Sequence, residues 1–333
     1  MAIISVIGAT GNVGRIVIAE LLARKMVKMD KVRVLASKRS AGQMVDIAGH
    51  QFTVYEATRE NIQGSDICIF NTESDVSEQL VPLCLRDGAY VIDSSSHYRL
   101  ATDVPLIVPP VNAHLINQQQ KLYAHANCLV SPVATVAAPL HKIFEIKNIS
   151  VTTYQSTSGA GKGPMDECWD ETIALTQGNE HKRRYFARQI AFNVIPQVGN
   201  IREDGLTSEE YKIIHESKKV IGQEINISAT AVRVPVLRGH CIALEVSFAG
   251  PVSVAEVEAV LASARSVQLS KQHQYHTPAE VVGHDDVFVG RIRVNPFDEK
   301  TIQIWLCSDN LRRGAATDAV EIAGGILQVA KLH

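Results

Sequence analysis

No uninterrupted apolar run in this sequence reaches the about 18 residues that span a bilayer, so no membrane-crossing helix and no membrane partner are expected. A dominant charge of one sign is also missing. Lys and Arg number 33 against 35 Asp and Glu, a net charge of −2 without regional bias, which argues against nucleic acid as a partner. The six cysteines (Cys68, Cys84, Cys128, Cys168, Cys241, Cys307) form no CxxC pair and no tight Cys/His cluster. A disulfide framework and structural zinc are disfavoured, no metal is expected, and free thiols in a reducing cytoplasm explain the pattern. Met1-Ala2-Ile3-Ile4-Ser5-Val6 has no basic segment ahead of its apolar residues, so no signal peptide is expected. Internal repeats and low-complexity segments are absent too. What is present is 46% hydrophobic content over 333 residues, long enough for two domains with substantial cores or for one large one.

The first chemical signal is Ile3–Ile7, a short apolar strand running directly into Gly8-Ala9-Thr10-Gly11-Asn12-Val13-Gly14 and then an amphipathic helix. Strand, glycine turn, helix is the context of a dinucleotide fingerprint, because glycines let the backbone approach a pyrophosphate at a helix N-terminus. The spacing is GxxGxxG rather than GxGxxG, and a turn with glycines for packing is the competing reading. The next strand, Val32–Ala36, ends in Ser37-Lys38-Arg39-Ser40 where an NAD site usually carries Asp or Glu. Hydroxyls and cations suit a 2′-phosphate, which favours NADP over a plain solvated basic loop.

Strands at Ile67–Asn71 and Ala89–Asp93, with a helix between them through Glu78–Pro82, continue the alternation. The pattern predicts an α/β chain whose N-terminal part is a Rossmann-like, doubly wound parallel sheet. Ser94–Arg99 would lie beyond a strand's carboxyl end, where such sheets bind ligands, and Arg99 is either an anion contact or a surface arginine.

Cys128 stands where a strand-like approach, Lys121–Asn127, gives way to a helix-periodic run, Leu129–Phe144. A thiol at a helix N-terminus meets backbone N–H groups that favour thiolate, the nucleophilic form; a buried cysteine is also a common inert core residue. A strand at Ile149–Gln155 leads into the glycine-rich Ser156–Pro164, a cofactor contact or a flexible connector, and then a helix from Met165. Thr207-Ser208-Glu209-Glu210 reads as a capping box, which gives Glu210 a structural task and leaves Glu209 beside Lys212 as a helical ion pair. Strands Ala229–Val236 and Cys241–Phe248 are expected to form an antiparallel hairpin around Leu237-Arg238-Gly239-His240, within an α+β second domain. A cysteine and a histidine beside a nicotinamide site fit one mechanism: thiolate attack, proton transfer by His240, hydride transfer and a thioester.

The motifs together resemble the bacterial aspartate-β-semialdehyde dehydrogenase family over nearly the whole chain. The resemblance rests on GATGNVG (8–14), ASKRSAG (36–42), DVPLIVPPVN (103–112), NC (127–128), TTYQSTSGAGKG (152–163), RQIAFNVIPQ (188–197), EEYK (209–212), RVPVLRGH (233–240) and DNLRRGAATDAVEIA (309–323). It implies reversible NADPH-dependent reduction of β-aspartyl phosphate to aspartate semialdehyde, with release of phosphate. Cys128 would be the thioacyl-forming nucleophile, His240 the acid/base, and Gln155 the residue orienting the intermediate. Arg233 and Glu209 would hold the substrate's α-carboxylate and α-amino group, Arg99 and Lys212 its phosphate, with Asn127 beside the nucleophile. Cofactor contacts would come from Gly8, Thr10, Gly11, Asn12, Val13, Gly14, Ser37, Arg39, Ser40, Ser158, Gly159, Gly161 and Asn310. Residues 1–128 and 310–333 would form the NADP-binding domain, and residues 129–309 the catalytic domain through which a homodimer assembles. The chain departs from the family pattern NPNCST, reading His125-Ala126-Asn127-Cys128-Leu129-Val130, and carries Ser94 and Pro110 where Asn and Glu are usual. The alternatives are a reductase for another acyl phosphate or acyl-CoA, and a non-catalytic paralogue.

Overall fold

The computed structural model describes residues 2–271 and 274–332. Two compact units form, Met1–Asn127 with Gly314–His333, and Cys128–Arg313. The boundaries fall between Asn127 and Cys128 and between Arg313 and Gly314.

The first unit holds nine strands: β1 (Ile4–Ile7), β2 (Val32–Ala36), β3 (Met44–Ile47), β4 (His50–Thr53), β5 (Tyr55–Glu56), β6 (Ile67–Phe70), β7 (Tyr90–Asp93), β8 (Leu106–Ile107) and β9 (Leu122–His125). Seven make one sheet in the order β5-β2-β1-β6-β7-β9-β8, every pair parallel. β1, β6, β7 and β9 are buried at every position, because helices cover both faces of a parallel sheet and leave no polar side. The helix Asn12–Ala23 contributes Val17, Ile18 and Leu21 to this core, and the closing helix Thr317–Val329 contributes Ala319, Val320 and Ala323. The β3–β4 hairpin adds Val45, Ile47 and Phe52.

The second unit is a six-stranded mixed sheet of β10 (Ile146–Gln155), β11 (Asn226–Arg233), β12 (His240–Phe248), β13 (Val267–Leu269), β14 (Val287–Asn295) and β15 (Asp298–Ser308), in the order β11-β10-β12-β15-β14-β13. Leu129 and, from the Val130–Phe144 helix that follows it, Val133, Val136, Ala137 and Leu140 cover its apolar face together with Val257 and Leu261. That helix runs through Pro139 without a break in assignment. The helix expected from Met165 starts at Lys162, which puts Pro164 in the first turn, where no N–H is required. None of the six cysteines is in a disulfide, including Cys241 and Cys307, directly opposed on β12 and β15 with sulfurs 3.3 Å apart.

The expected 229–248 hairpin does not form. β11 and β12 do run in opposite directions, but β10 lies between them, parallel to β11 and antiparallel to β12. The connecting residues cross the end of β10: Gln155 O accepts from Val234 N, and the N–H groups of Thr157 and Ser158 donate to Val236 and Leu237 carbonyls. The turn chemistry of Gly239, at φ +93°, is real. Its strands pair with a third one instead of with each other.

Residues 184–191 have neither helix nor strand, yet their backbone is held. Glu167 accepts from the N–H groups of Arg184, Tyr185 and Phe186, and Glu171, one turn along the same helix, from those of Ile190 and Ala191. Further on, Ile195 and Arg233 exchange both backbone hydrogen bonds.

Candidate active site

Within the second unit, the Val130–Phe144 helix begins two residues after Cys128, whose thiol is half-buried. Leu129 and Val130, which stand where the resembled pattern has hydroxyl residues, are fully buried, so the Cys128 thiol has an apolar flank. Gln155 ends β10 and is the register partner of Arg233 at the end of β11. Both side chains are buried, and Arg233 Nη1 donates to Ser156 O at 2.6 Å. Burial lowers the proton affinity of this guanidinium, while the fields of the Glu209 carboxylate and of Cys128 oppose that shift. Glu209 Oε2 also pairs with Lys212 Nζ at 2.6 Å, the helical ion pair expected from the sequence. The capping box is complete: Glu210 accepts from Thr207 N at 2.7 Å and Thr207 Oγ1 from Glu210 N at 3.2 Å.

His240 opens β12 in the same cluster. Its Nδ1 accepts from Ser156 N at 3.0 Å. A backbone N–H only donates, so the ring proton sits on Nε2. Burial first, then the Arg233 guanidinium, push the imidazole down to about 3, against an opposing pull from Glu209, and the ring is neutral. Nε2 is buried without a partner. A Cβ added to Gly159 would lie 2.9 Å from that Nε2 and 3.3 Å from Arg233 Nη1, so the glycine-rich segment closes directly over both groups. Ser158 and Asn310 are buried and bonded to each other, and Asn310 Oδ1 accepts from Gly239 N at 2.9 Å. Cofactor contacts are expected there from the sequence; the amide of Asn310 also supports the turn that delivers His240. The sequence reading also missed Ser156, whose backbone N–H and hydroxyl both meet His240 Nδ1 at 3.0 Å, and the Arg238–Asp309 pair, a bidentate bridge at 2.9 and 2.7 Å under the same turn.

In the first unit, the Gly8–Gly14 turn joins β1 to the Asn12–Ala23 helix. Gly8, at φ +79°, approaches Asn71 so closely that a Cβ would lie 2.2 Å from its carbonyl oxygen, and a Cβ on Gly14 would lie 2.4 Å from Gly8 O. Packing therefore requires two of the three glycines. A ligand contact is indicated separately: Asn12 Nδ2, Asn71 Nδ2 and Thr72 Oγ1 are buried without partners around this turn. Two amide donors and a hydroxyl at an uncapped helix N-terminus fit the oxygens of a dinucleotide pyrophosphate. Ser37, Lys38 and Arg39 are exposed just beyond β2, the strand beside β1. Arg99, beyond β7, is buried and donates from Nη2 to Ser94 O at 2.7 Å, so it is not the free surface arginine its loop position allows. Asn127, also buried, ends this unit. Among the described residues no His/Cys/Asp/Glu cluster has metal-binding form.

Comparison with known proteins assigns both parts. Residues 3–119 match a family model described as semialdehyde dehydrogenase, NAD binding domain, and residues 137–313 one described as semialdehyde dehydrogenase, dimerisation domain. An aspartate-semialdehyde dehydrogenase of Rickettsia bellii is 39% identical over 98% of this chain and 97% of its own length. Aspartate semialdehyde dehydrogenase II of Vibrio cholerae matches with a TM-score of 0.94 at 33% identity, covering 98% of this chain and 99% of that one. Its complex with ASA gives 0.93, at 33% identity over 98% of each chain. A Candida albicans aspartate semialdehyde dehydrogenase solved with NADP, 23% identical with a TM-score of 0.77 over the full length of both chains, shares the fold.

Proposed function

This chain belongs to the aspartate-semialdehyde dehydrogenase family, and we propose that the Cys128–Arg233–Glu209–His240 cluster carries that family's reaction in it. The reaction is the reversible reductive dephosphorylation of β-aspartyl phosphate to aspartate semialdehyde, an oxidoreductase step of amino-acid biosynthesis serving lysine, threonine and methionine. The observation that carries the reading is a buried arginine and a buried carboxylate placed together beside a thiol. A zwitterionic amino acid requires that pair of charges, the arginine fork for its α-carboxylate and Glu209 for its α-amino group.

In the reductive direction Cys128 Sγ adds to the acyl carbonyl, a tetrahedral oxyanion forms, and phosphate leaves to give a thioester on Cys128. His240 is set up to donate from Nε2 to that oxygen and to the one formed after reduction, with Gln155 orienting the intermediate. Since Nδ1 is already an acceptor, the neutral ring has no lone pair at Nε2. His240 thus works as a hydrogen-bond donor, which narrows the acid/base role the resemblance implies. Arg99 and Lys212 take the phosphate, with Asn127 next to the nucleophile. A nicotinamide cofactor, when bound, supplies or takes the hydride; Gly8–Gly14, Asn71 and Thr72 would hold it, and Ser37, Lys38 and Arg39 select NADP by meeting a 2′-phosphate. The dimerisation domain pairs with a second copy of the chain, and the free thiols suit the cytoplasm.

Phosphate-dependent NADP reduction with aspartate semialdehyde tests the reading. Wild type turns over and Cys128→Ala does not; a silent wild type or a fully active variant sinks it. Arg39→Ala should weaken NADP at least roughly tenfold while sparing NAD, as loss of a charge-assisted bond dictates.

A further inference from the structure

Among the described residues, two histidines are buried with one ring nitrogen bonded and the other without a partner, and their tautomers are opposite. His240 presents N–H. His125, 2% exposed at the end of β9, has Nδ1 at 2.9 Å from Ala126 O. A carbonyl only accepts, so Nδ1 carries the hydrogen and Nε2 of the neutral ring is a bare lone pair. That lone pair is buried with no donor. Buried acceptors are nearly always satisfied, and an orphan calls for a partner that the chain itself does not supply.

The surroundings define the partner. His125 stands at the carboxyl edge of the parallel sheet, where ligands of such sheets bind, and the neighbouring strand is β7, whose continuation carries Arg99. The Arg99 guanidinium is anchored by its bond to Ser94 O. Burial, then the field of Arg99, push His125 down to about 4, with Asp93 opposing, so the ring stays neutral and the cation is near it. A cation beside a fixed lone pair suits an anion that also carries a proton. Hydrogen phosphate has that hydrogen. Sulfate has only acceptor oxygens and would face the lone pair with another.

We propose that His125 is the phosphate-selecting residue of this enzyme: Nε2 accepts the P–OH hydrogen of the phosphate held by Arg99 and so discriminates against sulfate. The proposal rests on the reading of Arg99 as a phosphate ligand.

The test is initial rates in the oxidative direction with varied inorganic phosphate and sulfate as competitor. Sulfate should compete with phosphate at least roughly tenfold more weakly than phosphate binds, the size of one hydrogen bond to an ion. His125→Asn should raise the phosphate KM about tenfold, leave the aspartate semialdehyde KM in place and close the gap to sulfate. His125→Gln, whose amide oxygen extends about as far as Nε2, should restore part of the preference. Equal competition by sulfate against wild type overturns the proposal without recourse to any variant, as does an unchanged phosphate KM in His125→Asn. Calorimetric titration of both anions separates it from the reaction itself. A preference for phosphate that disappears in His125→Asn upholds the assignment even without turnover, and turnover without the preference sinks the assignment alone.

Discussion

Ser156 donates its backbone N–H to Nδ1 of His240, and this one bond decides which ring nitrogen carries the proton. The Ser156 hydroxyl lies 3.0 Å from the same nitrogen, but a substitution at position 156 short of proline leaves the main-chain bond in place. A tautomer fixed by the main chain is fixed as firmly as the strand that carries it.

A pH dependence follows. His240 and His125 lie near 3 and 4 in the folded protein against an ordinary 6.5, so protons bind the unfolded chain more tightly. The stability they contribute is fully present above about pH 6.5 and is lost as pH falls toward those folded values, roughly 2 kcal/mol from each by pH 5. Urea midpoints at pH 8 and pH 5 should fall less steeply in His125→Asn and in His240→Asn than in wild type. Parallel pH curves for all three proteins would contradict the burial of neutral rings.

Gly159 tests the closure over His240 and Arg233. Its missing Cβ would stand 2.9 Å from His240 Nε2, and the backbone there is not one that demands glycine for its own sake. Gly159→Ala should therefore fold normally but lower kcat by about tenfold or more, since displacements of around an ångström are costly at a reacting centre. Wild-type kcat in the variant would mean that the segment yields freely.

Adjacent glutamates should separate stability from catalysis. Glu210 closes the capping box and also accepts from Ala231 N at 2.9 Å, tying its helix to β11. Glu210→Ala should cost about 2 kcal/mol or more, seen as a lower melting temperature with kinetics retained in the folded fraction. Glu209→Gln should do the reverse, raising the KM for aspartate semialdehyde with little change in melting. Similar kinetic losses in both variants would refute the division.

Much of this was legible in the chain. The parallel sheet follows from short runs such as Ile4–Ile7 and Ile67–Phe70, apolar at nearly every position, and the capping box from the spacing of Thr207 and Glu210. Cys128, Glu209, Arg233 and His240 came from motif and chemistry, and the fold brings them together. The failures share a cause. Pairing of β10 with both β11 and β12 joins strands about 80 to 100 residues apart, and local periodicity carries no record of which strand is the neighbour. The bond from Ser156 to His240, the network of Asn310 and the orphan nitrogen of His125 depend likewise on backbone groups and distant loops that no residue pattern displays.

The stretch from Arg184 to Ala191 shows what that means for substitution. It belongs partly to a recognisable motif, yet five of its main-chain N–H groups end on just two carboxylates, Glu167 and Glu171, one turn apart on another helix. Its path is written in a different part of the sequence. A redesign that replaced most of its exposed side chains would keep the path, whereas shortening either glutamate to alanine would release the segment that leads to Ile195 and, through it, the main chain of Arg233.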